Sequence, residues 1–245
     1  MKNFAVEIFS QTASFRNPDF QNFHKSLDLP PPTTIVGLAG AALGLSPLQA
    51  QEFFESNDLQ IGVYGLHAGK CSDTWKYNKE IRDMRTYNAG KDGSIIQKEY
   101  LINARFILAF SSENSETISK LIEAFQNPGY ALTMGNSDSL AFVKNVEIDL
   151  PRLARHEVEN CLLKGDVIDS VISHSSEKLE FSIYHTSEPL TYDLPVKFQY
   201  ANDYGRRNVS QIATFSMIGK KMKLNYEVEG LMYKDLFVPL MNFYA

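Results

Sequence analysis

A chain of 245 residues, 44% hydrophobic and 22% charged, is long and apolar enough to bury a sizeable core, as one large domain or two small ones. Its net charge of −5 argues against a free-standing nucleic-acid binder, which usually carries a strong positive excess. The longest apolar run, Ile35 to Leu45, is too short to cross a bilayer, and the polar break at Glu7 does not suit a secretory signal. Two cysteines, Cys71 and Cys161, lack CxxC spacing, so a reducing cytoplasm is the expected compartment.

Phe4, Val6 and Ile8 alternate with Ala5 and Glu7, a first strand. Pro30, Pro31 and Pro32 lack amide hydrogens and cannot sit inside a helix, so they form an extended arm ending where a helix starts. Thr33 or Thr34 is the expected cap. Ile35, Leu38, Ala39, Ala42 and Leu43 then form one apolar stripe, predicting a helix over 34–45, with further turns through Pro47 to Glu55. Gly37 and Gly40 each cost roughly 1 kcal/mol relative to Ala, tolerable if the helix lies close against something, most simply its own sheet.

Leu59 to Leu66 reads as the second strand. Residues 67–98 are polar and glycine-punctuated, an inserted loop or long hairpin. The third strand sets Ile102, Ala104, Phe106, Leu108 and Phe110 against Asn103, Arg105 and Ile107. A second helix runs from Ser115 to Gln126 on the stripe Ile118, Leu121, Ile122 and Phe125, and Asn127-Pro128-Gly129 stops it. Ala141 to Ile148 is the fourth strand. The order β-α-β-β-α-β predicts an α+β, ferredoxin-like (RRM-like) domain over 1–150, with an insertion at 67–98. Residues 151–245 read as a smaller β-rich region, with strands at 178–185, 190–200, 208–218 and 223–230.

Four groups of residues are candidates for function. Gly135, Asn136, Ser137, Asp138 and Ser139 form a turn-rich loop whose amides and hydroxyls either stabilise a tight turn or hold phosphates. Arg16, between an aromatic residue and Asn17-Pro18, is a solvated surface residue or a phosphate contact. Within 67–98, Trp75, Lys76, Tyr77, Arg82, Arg85 and Tyr87 interleave rings with cations, which suits single-stranded RNA and also suits an ordinary solvated loop. From Gly205 to Asn225, Arg206, Arg207, Lys220, Lys221 and Lys223 stand without an acidic residue, as a nucleic-acid patch or as lysines guarding an edge strand.

No metal or cofactor site is expected. His24, His67, His156, His174 and His185 show no ligand spacing. The stretch Gly65 to Cys71 is one residue short of a P-loop and ends in Cys where Ser or Thr must bind magnesium. No GxSxG or GxGxxG motif is present.

Three segments, Ser10-Gln11-Thr12-Ala13-Ser14-Phe15-Arg16 through Leu29-Pro30-Pro31-Pro32 to Gly44, Glu99-Tyr100-Leu101-Ile102-Asn103-Ala104-Arg105-Phe106, and Gly135 to Ala141, occur in an order that resembles the CRISPR-associated Cas family five of the RAMP superfamily. The resemblance spans roughly residues 4–148, and its proline-rich first motif is most similar to the type I-B branch. It implies a ferredoxin-like RAMP domain whose insertion projects as a thumb. It also implies a non-catalytic subunit of a type I interference complex (Cascade) that binds and caps the 5′ handle of the crRNA. Implied partners are that RNA, the repeated backbone subunit and the large subunit, with target DNA nearby through the complex. With the resemblance pointing to Arg16 and the glycine loop, and the ring and charge patterns to the rest, the expected RNA contacts are Arg16, Lys76, Arg82, Arg85, Tyr87, Gly135, Asn136, Ser137, Arg206 and Arg207.

Two alternatives stand beside it. The type I-C branch cuts repeat RNA without metal, using Tyr, Lys and His. Here His24-Lys25 is the one adjacent Lys/His pair, and Lys98-Glu99-Tyr100 follows the insertion where the nuclease pattern is absent. The other alternative is a ferredoxin-like protein-interaction module that does not touch RNA.

Overall fold

The computed structural model describes residues 2–20, 23–78, 93–171, 189–203, 206–242 and 244. Its largest sheet has nine strands. Seven follow the order β11-β12-β10-β5-β7-β1-β8, and β3 and β6 also pair with β7. In chain order these are β1 (Lys2–Ala13), β2 (Phe15–Arg16), β3 (Phe23–His24), β4 (Ser26–Leu27), β5 (Gln60–Leu66), β6 (Gly69–Asn78), β7 (Gly93–Ser112), β8 (Ala141–Ile148), β9 (Arg152–Val158), β10 (Cys161–Lys164), β11 (Leu190–Tyr200), β12 (Arg207–Ile218), β13 (Met222–Tyr233) and β14 (Leu236–Pro239). Strands β14-β13-β9 form a second sheet, and β2 pairs with β4. The helices are α1 (Pro32–Leu43), α2 (Pro47–Ser56) and α3 (Ser115–Gln126).

Period-two patterning dictates the layers. Phe4, Val6 and Ile8 of β1 and Ala104, Phe106, Leu108 and Phe110 of β7 face one side, where they pack with Ile35, Leu38, Ala39 and Ala42 of α1 and Ile118, Leu121 and Phe125 of α3. The alternate residues Ala5, Ile107 and Ala109 face the other side and meet Leu231, Tyr233, Val238 and Leu240 of the second sheet. The central strands are therefore buried on both faces. Gly62 sits where a Cβ would overlap the carbonyl of Pro239, so the two sheets close to backbone contact there.

The helical arm departs from the expected form. Pro31 is the N-cap of α1 and makes no side-chain cap bond, Pro32 fills the first turn, and Thr33 and Thr34 lie inside the helix. The apolar run does not continue as one helix: α1 and α2 bend by 105° at Gly44. Gly44 takes a left-handed φ of 73°, and the amides of Gly44 and Leu45 return to Ala41 and Gly40. Ser46 and Gln49 then cap α2 reciprocally. Gly40 approaches α2 rather than the sheet, since a Cβ there would overlap that of Ala50, whereas Gly37 faces open space. Among the described residues, no single helix is long and apolar enough to cross a membrane.

Residues 69–78 and 93–102 form a long hairpin of β6 on β7. Leu66↔Arg105 and Gly69↔Ile102 share one register, so β5 and β6 lie end to end along the 20-residue β7. At the joint Asn103 adopts φ 49°, a left-handed conformation that asparagine tolerates better than most residues. Residues 79–92, with Arg82, Arg85 and Tyr87, lie outside the described residues, as does the strand expected at 178–185.

Beyond residue 150 the expected strands at 190–200, 208–218 and 223–230 appear as β11, β12 and β13. Three more were not anticipated. The strand β10 has only four residues, β9 has no clear alternation of apolar and polar residues, and β14 is a short return after a tight turn. Through β10, which pairs with both β12 and β5, the large sheet runs across the residue-150 boundary.

Candidate nucleic-acid interface

The end of β1 runs into a constricted corner. The Ser14 amide donates to Met134 O (3.1 Å), and the Ser14 hydroxyl donates to Glu99 O (2.8 Å), which ties the first motif to both later ones. The next two residues form β2, with Arg16 opposite Ser26 of β4. The chain then returns as β3, parallel to β7, which sets His24 opposite Lys98. The Glu99 carboxylate accepts from the Ser26 amide (3.1 Å) and pairs with Lys70 (3.4 Å), anchoring the returning segment to the hairpin base.

From the other direction, Gly135 presses on the same corner. Its φ is +90°, and a Cβ would overlap the Ser14 carbonyl oxygen. The loop closes through Met134 N to Ser139 O (2.8 Å) and Ser139 N to Asn136 O (3.0 Å), and the buried Ser139 hydroxyl meets that of Thr12 (3.1 Å). It is a tight turn, and its tip also faces a cleft.

That cleft, about 450 Å³, is bounded by Ser14, Arg16 and His24 on one wall, Trp75, Lys76, Ile96 and Lys98 of the hairpin on another, and Gly135 and Asn136 on the third. Lys98 Nζ stands 3.9 Å above the Trp75 ring and 3.5 Å from Asn136 Oδ1, so one cation links hairpin and loop. The Trp75 indole N–H is held by Asp73 (3.0 Å), which fixes the ring. Burial, with the charges of Arg16 and Lys98, pushes the His24 imidazole below its ordinary value, so it is neutral at pH 7. Burial also pushes the Tyr100 phenol up, reinforced by its hydrogen bond to Asp138 (3.0 Å). Among the described residues, no group of three or more His, Cys, Asp or Glu side chains stands close enough to hold a metal ion.

Four of the expected contacts, Arg16, Lys76, Gly135 and Asn136, thus meet at one cleft. Ser137 is exposed on the same loop but does not line the cleft. Arg206 and Arg207 lie elsewhere, at the turn of the β11–β12 hairpin, where the Arg207 guanidinium stacks 4.4 Å over Phe198. Lys221 is engaged by Glu157 (2.7 Å). Sequence reasoning missed Ser14, Ile96 and Lys98 as cleft residues. The last two carried no local signal: the alternation along β7 breaks at Asn103, where Leu101 rather than Ile102 continues the core with Ala104.

The family model described as CRISPR-associated protein (Cas_Cas5) matches residues 4–221. The chain belongs to the Cas5 family. No curated protein matches its sequence significantly. Its fold is similar to that of a chain in a structure described as a CRISPR RNA-guided surveillance complex, with TM-score 0.54 and 13% identity over 91% of this chain and 90% of that one. A CRISPR protein from Archaeoglobus fulgidus aligns over 99% of both chains at 13% identity and TM-score 0.45. For this Cas5-family member the first and third motifs line the cleft, at Ser14-Arg16 and Gly135-Asn136, and the second begins just past Lys98 with Glu99, whose carbonyl accepts from Ser14.

Proposed function

We propose that this Cas5-family chain is the non-catalytic subunit that binds and caps the 5′ handle of crRNA in a cytoplasmic type I interference complex, of the type I-B kind. The observation that carries the reading is the cleft, which Arg16, Lys76 and Lys98 line together with Trp75 and the Gly135-Asn136 loop, with Lys98 over the Trp75 ring. Cations placed around a fixed ring suit an unpaired nucleotide: phosphates meet the cations and a base stacks on the indole. The glycine loop lets backbone amides approach the phosphate chain closely. A net charge of −5 with local basic stretches fits a subunit that touches RNA on one face and protein on others.

The strand order β8-β1-β7-β5 with α1 and α3 on one side supports reading residues 1–150 as a ferredoxin-like unit, with the β6–β7 hairpin as its thumb and 151–245 as a β-rich region extending its sheet. On this reading the thumb lies across the RNA where it meets the backbone subunits, and the large subunit docks alongside.

The test is incubation of the protein with labelled repeat RNA in EDTA, resolved on native and denaturing gels in parallel. Intact RNA that shifts with wild type and not with Arg16→Ala supports the proposal. A discrete cut at the repeat overturns it in favour of a metal-independent ribonuclease. One observation favours that second reading: His24 is a neutral imidazole in the cleft, able to accept a proton from a 2′-hydroxyl. Unshifted RNA contradicts both and points to a protein-interaction module.

A further inference from the structure

One band of the large sheet stays uncovered on the face that packs against β13 and β14. Residues directly opposite one another on paired antiparallel strands share a face. The pairings Phe9↔Phe142, Phe9↔Arg105 and Leu66↔Arg105 therefore line up Phe142, Phe9, Arg105 and Leu66 in one row across β8, β1, β7 and β5. One row away, Glu7 meets Tyr233 of the second sheet, and the cover stops there. In the uncovered row Phe142 is 52% exposed, Leu66 43%, and the Arg105 side chain 42%.

A bulge in β8 adds a cation to this row. The β1–β8 register slips between Glu7 and Ile8, leaving Lys144 as the extra residue, and its ammonium stands 5.3 Å from the centre of the Phe9 ring. Bulges re-aim side chains and blunt an edge against pairing with a further strand. The edge strand β8 is thus not built to accept an extended peptide. Arg105 and Lys234 flank Glu7, which Arg105 and Tyr233 engage at 2.8 and 2.7 Å, while Lys144 lies by Phe9, and Glu147, opposite Ala5, is a second acid on this face.

We propose that this band is a second binding surface, for single-stranded RNA and without base preference: bases stack on Phe142 and Phe9 while Lys144 and Arg105 meet phosphates. Charge complementarity selects this occupant, since two neighbouring rings flanked by Lys144 and Arg105 suit a strand of bases and phosphates. The surface does not include the cleft, and the inference does not rest on what the cleft binds.

The test is fluorescence anisotropy with a labelled ten-nucleotide oligouridylate at several salt concentrations, with ultraviolet cross-linking to map the contact. The proteins are wild type, Phe142→Ala, Lys144→Gln, and an Arg16→Ala/Lys98→Ala double variant with the cleft disabled; thermal melts confirm that each is folded. The double variant should still bind the oligouridylate and cross-link through the β8 segment. Phe142→Ala should weaken binding about tenfold, and Lys144→Gln should lower the salt slope by about 0.7. Binding that survives both β8 changes, or that vanishes entirely with the cleft, overturns the proposal. So does a Phe142→Ala protein that binds RNA normally but loses a protein subunit, which would assign the band to that partner. Handle binding lost in the double variant with oligouridylate binding kept would separate the two sites.

Discussion

Gly135 and Ser14 meet where no side chain fits: a Cβ at residue 135 would overlap the Ser14 carbonyl oxygen, and the φ of +90° disfavours any residue but glycine. The contact presses the loop onto the first motif and forms one wall of the cleft. Gly135→Ala should therefore cost about 1–3 kcal/mol from backbone strain alone. For a chain of this size that lowers the melting temperature by several degrees. Handle RNA affinity should fall at least tenfold, more than Asn136→Ala costs. Melting curves and RNA titration of both variants check this.

Trp75 is the only tryptophan in the chain, and it lies in the cleft. Stacking of a base on its ring should quench its fluorescence without any label. Trp75→Phe should keep most of the affinity, while Trp75→Ala should lose about 1–3 kcal/mol. Emission that does not change on saturation with handle RNA would contradict the stacking role.

His24 gives the cleft a pH dependence of definite sign. Burial and the neighbouring cations Arg16 and Lys98 hold its pKa below the ordinary 6.5 in the free protein. A bound phosphate favours the imidazolium and raises that pKa. Binding then takes up a proton in the window between the free and bound values, so affinity rises as pH falls through it. Wild type should bind more tightly at pH 6 than at pH 8, and His24→Gln should flatten the difference. A profile unchanged by the substitution would remove His24 from the RNA contact.

Of all this, the sheet and α3 were most legible, because their apolar periods are long and unbroken: Ser115–Gln126 and Ala141–Ile148 match the expected bounds. The arm around Pro31 was less so, since proline, glycine and serine each carry more than one boundary signal, and only packing decides that Gly40 meets Ala50. The motifs at Arg16 and Gly135 announced two walls of the cleft. The third wall was hidden because Lys98 becomes a neighbour of Asn136 only through the pairing of β7 with β1, whose end at Ser14 bonds both Glu99 and Met134, a long-range arrangement that local patterns do not encode. The turn holding Arg206 and Arg207 looked equally basic, yet it lies on the hairpin at the opposite end of the sheet order from β1 and β8.

Glu7 ties the two sheets together. Burial opposes its charge, but hydrogen bonds from Tyr233 (2.7 Å) and Arg105 (2.8 Å), with the charges of Arg105 and Lys234, hold its carboxyl below the usual range. A lowered folded-state pKa means the stabilisation is present above the unfolded value and is lost as pH falls through the folded one. Glu7→Gln should cost about 1–3 kcal/mol at pH 7 and little in acid below both values. Urea unfolding of wild type and variant at both pH values checks this, and an equal loss at both would contradict it.

The central claim is that the cleft reads the handle, and the most direct measurement compares two guide RNAs identical except for the 5′ handle. Binding is followed against salt for wild type and for Arg16→Ala. The account predicts that wild type prefers the handle-bearing RNA at least tenfold and that Arg16→Ala abolishes the preference. Equal affinity of wild type for both RNAs, or a preference that survives Arg16→Ala, would contradict it.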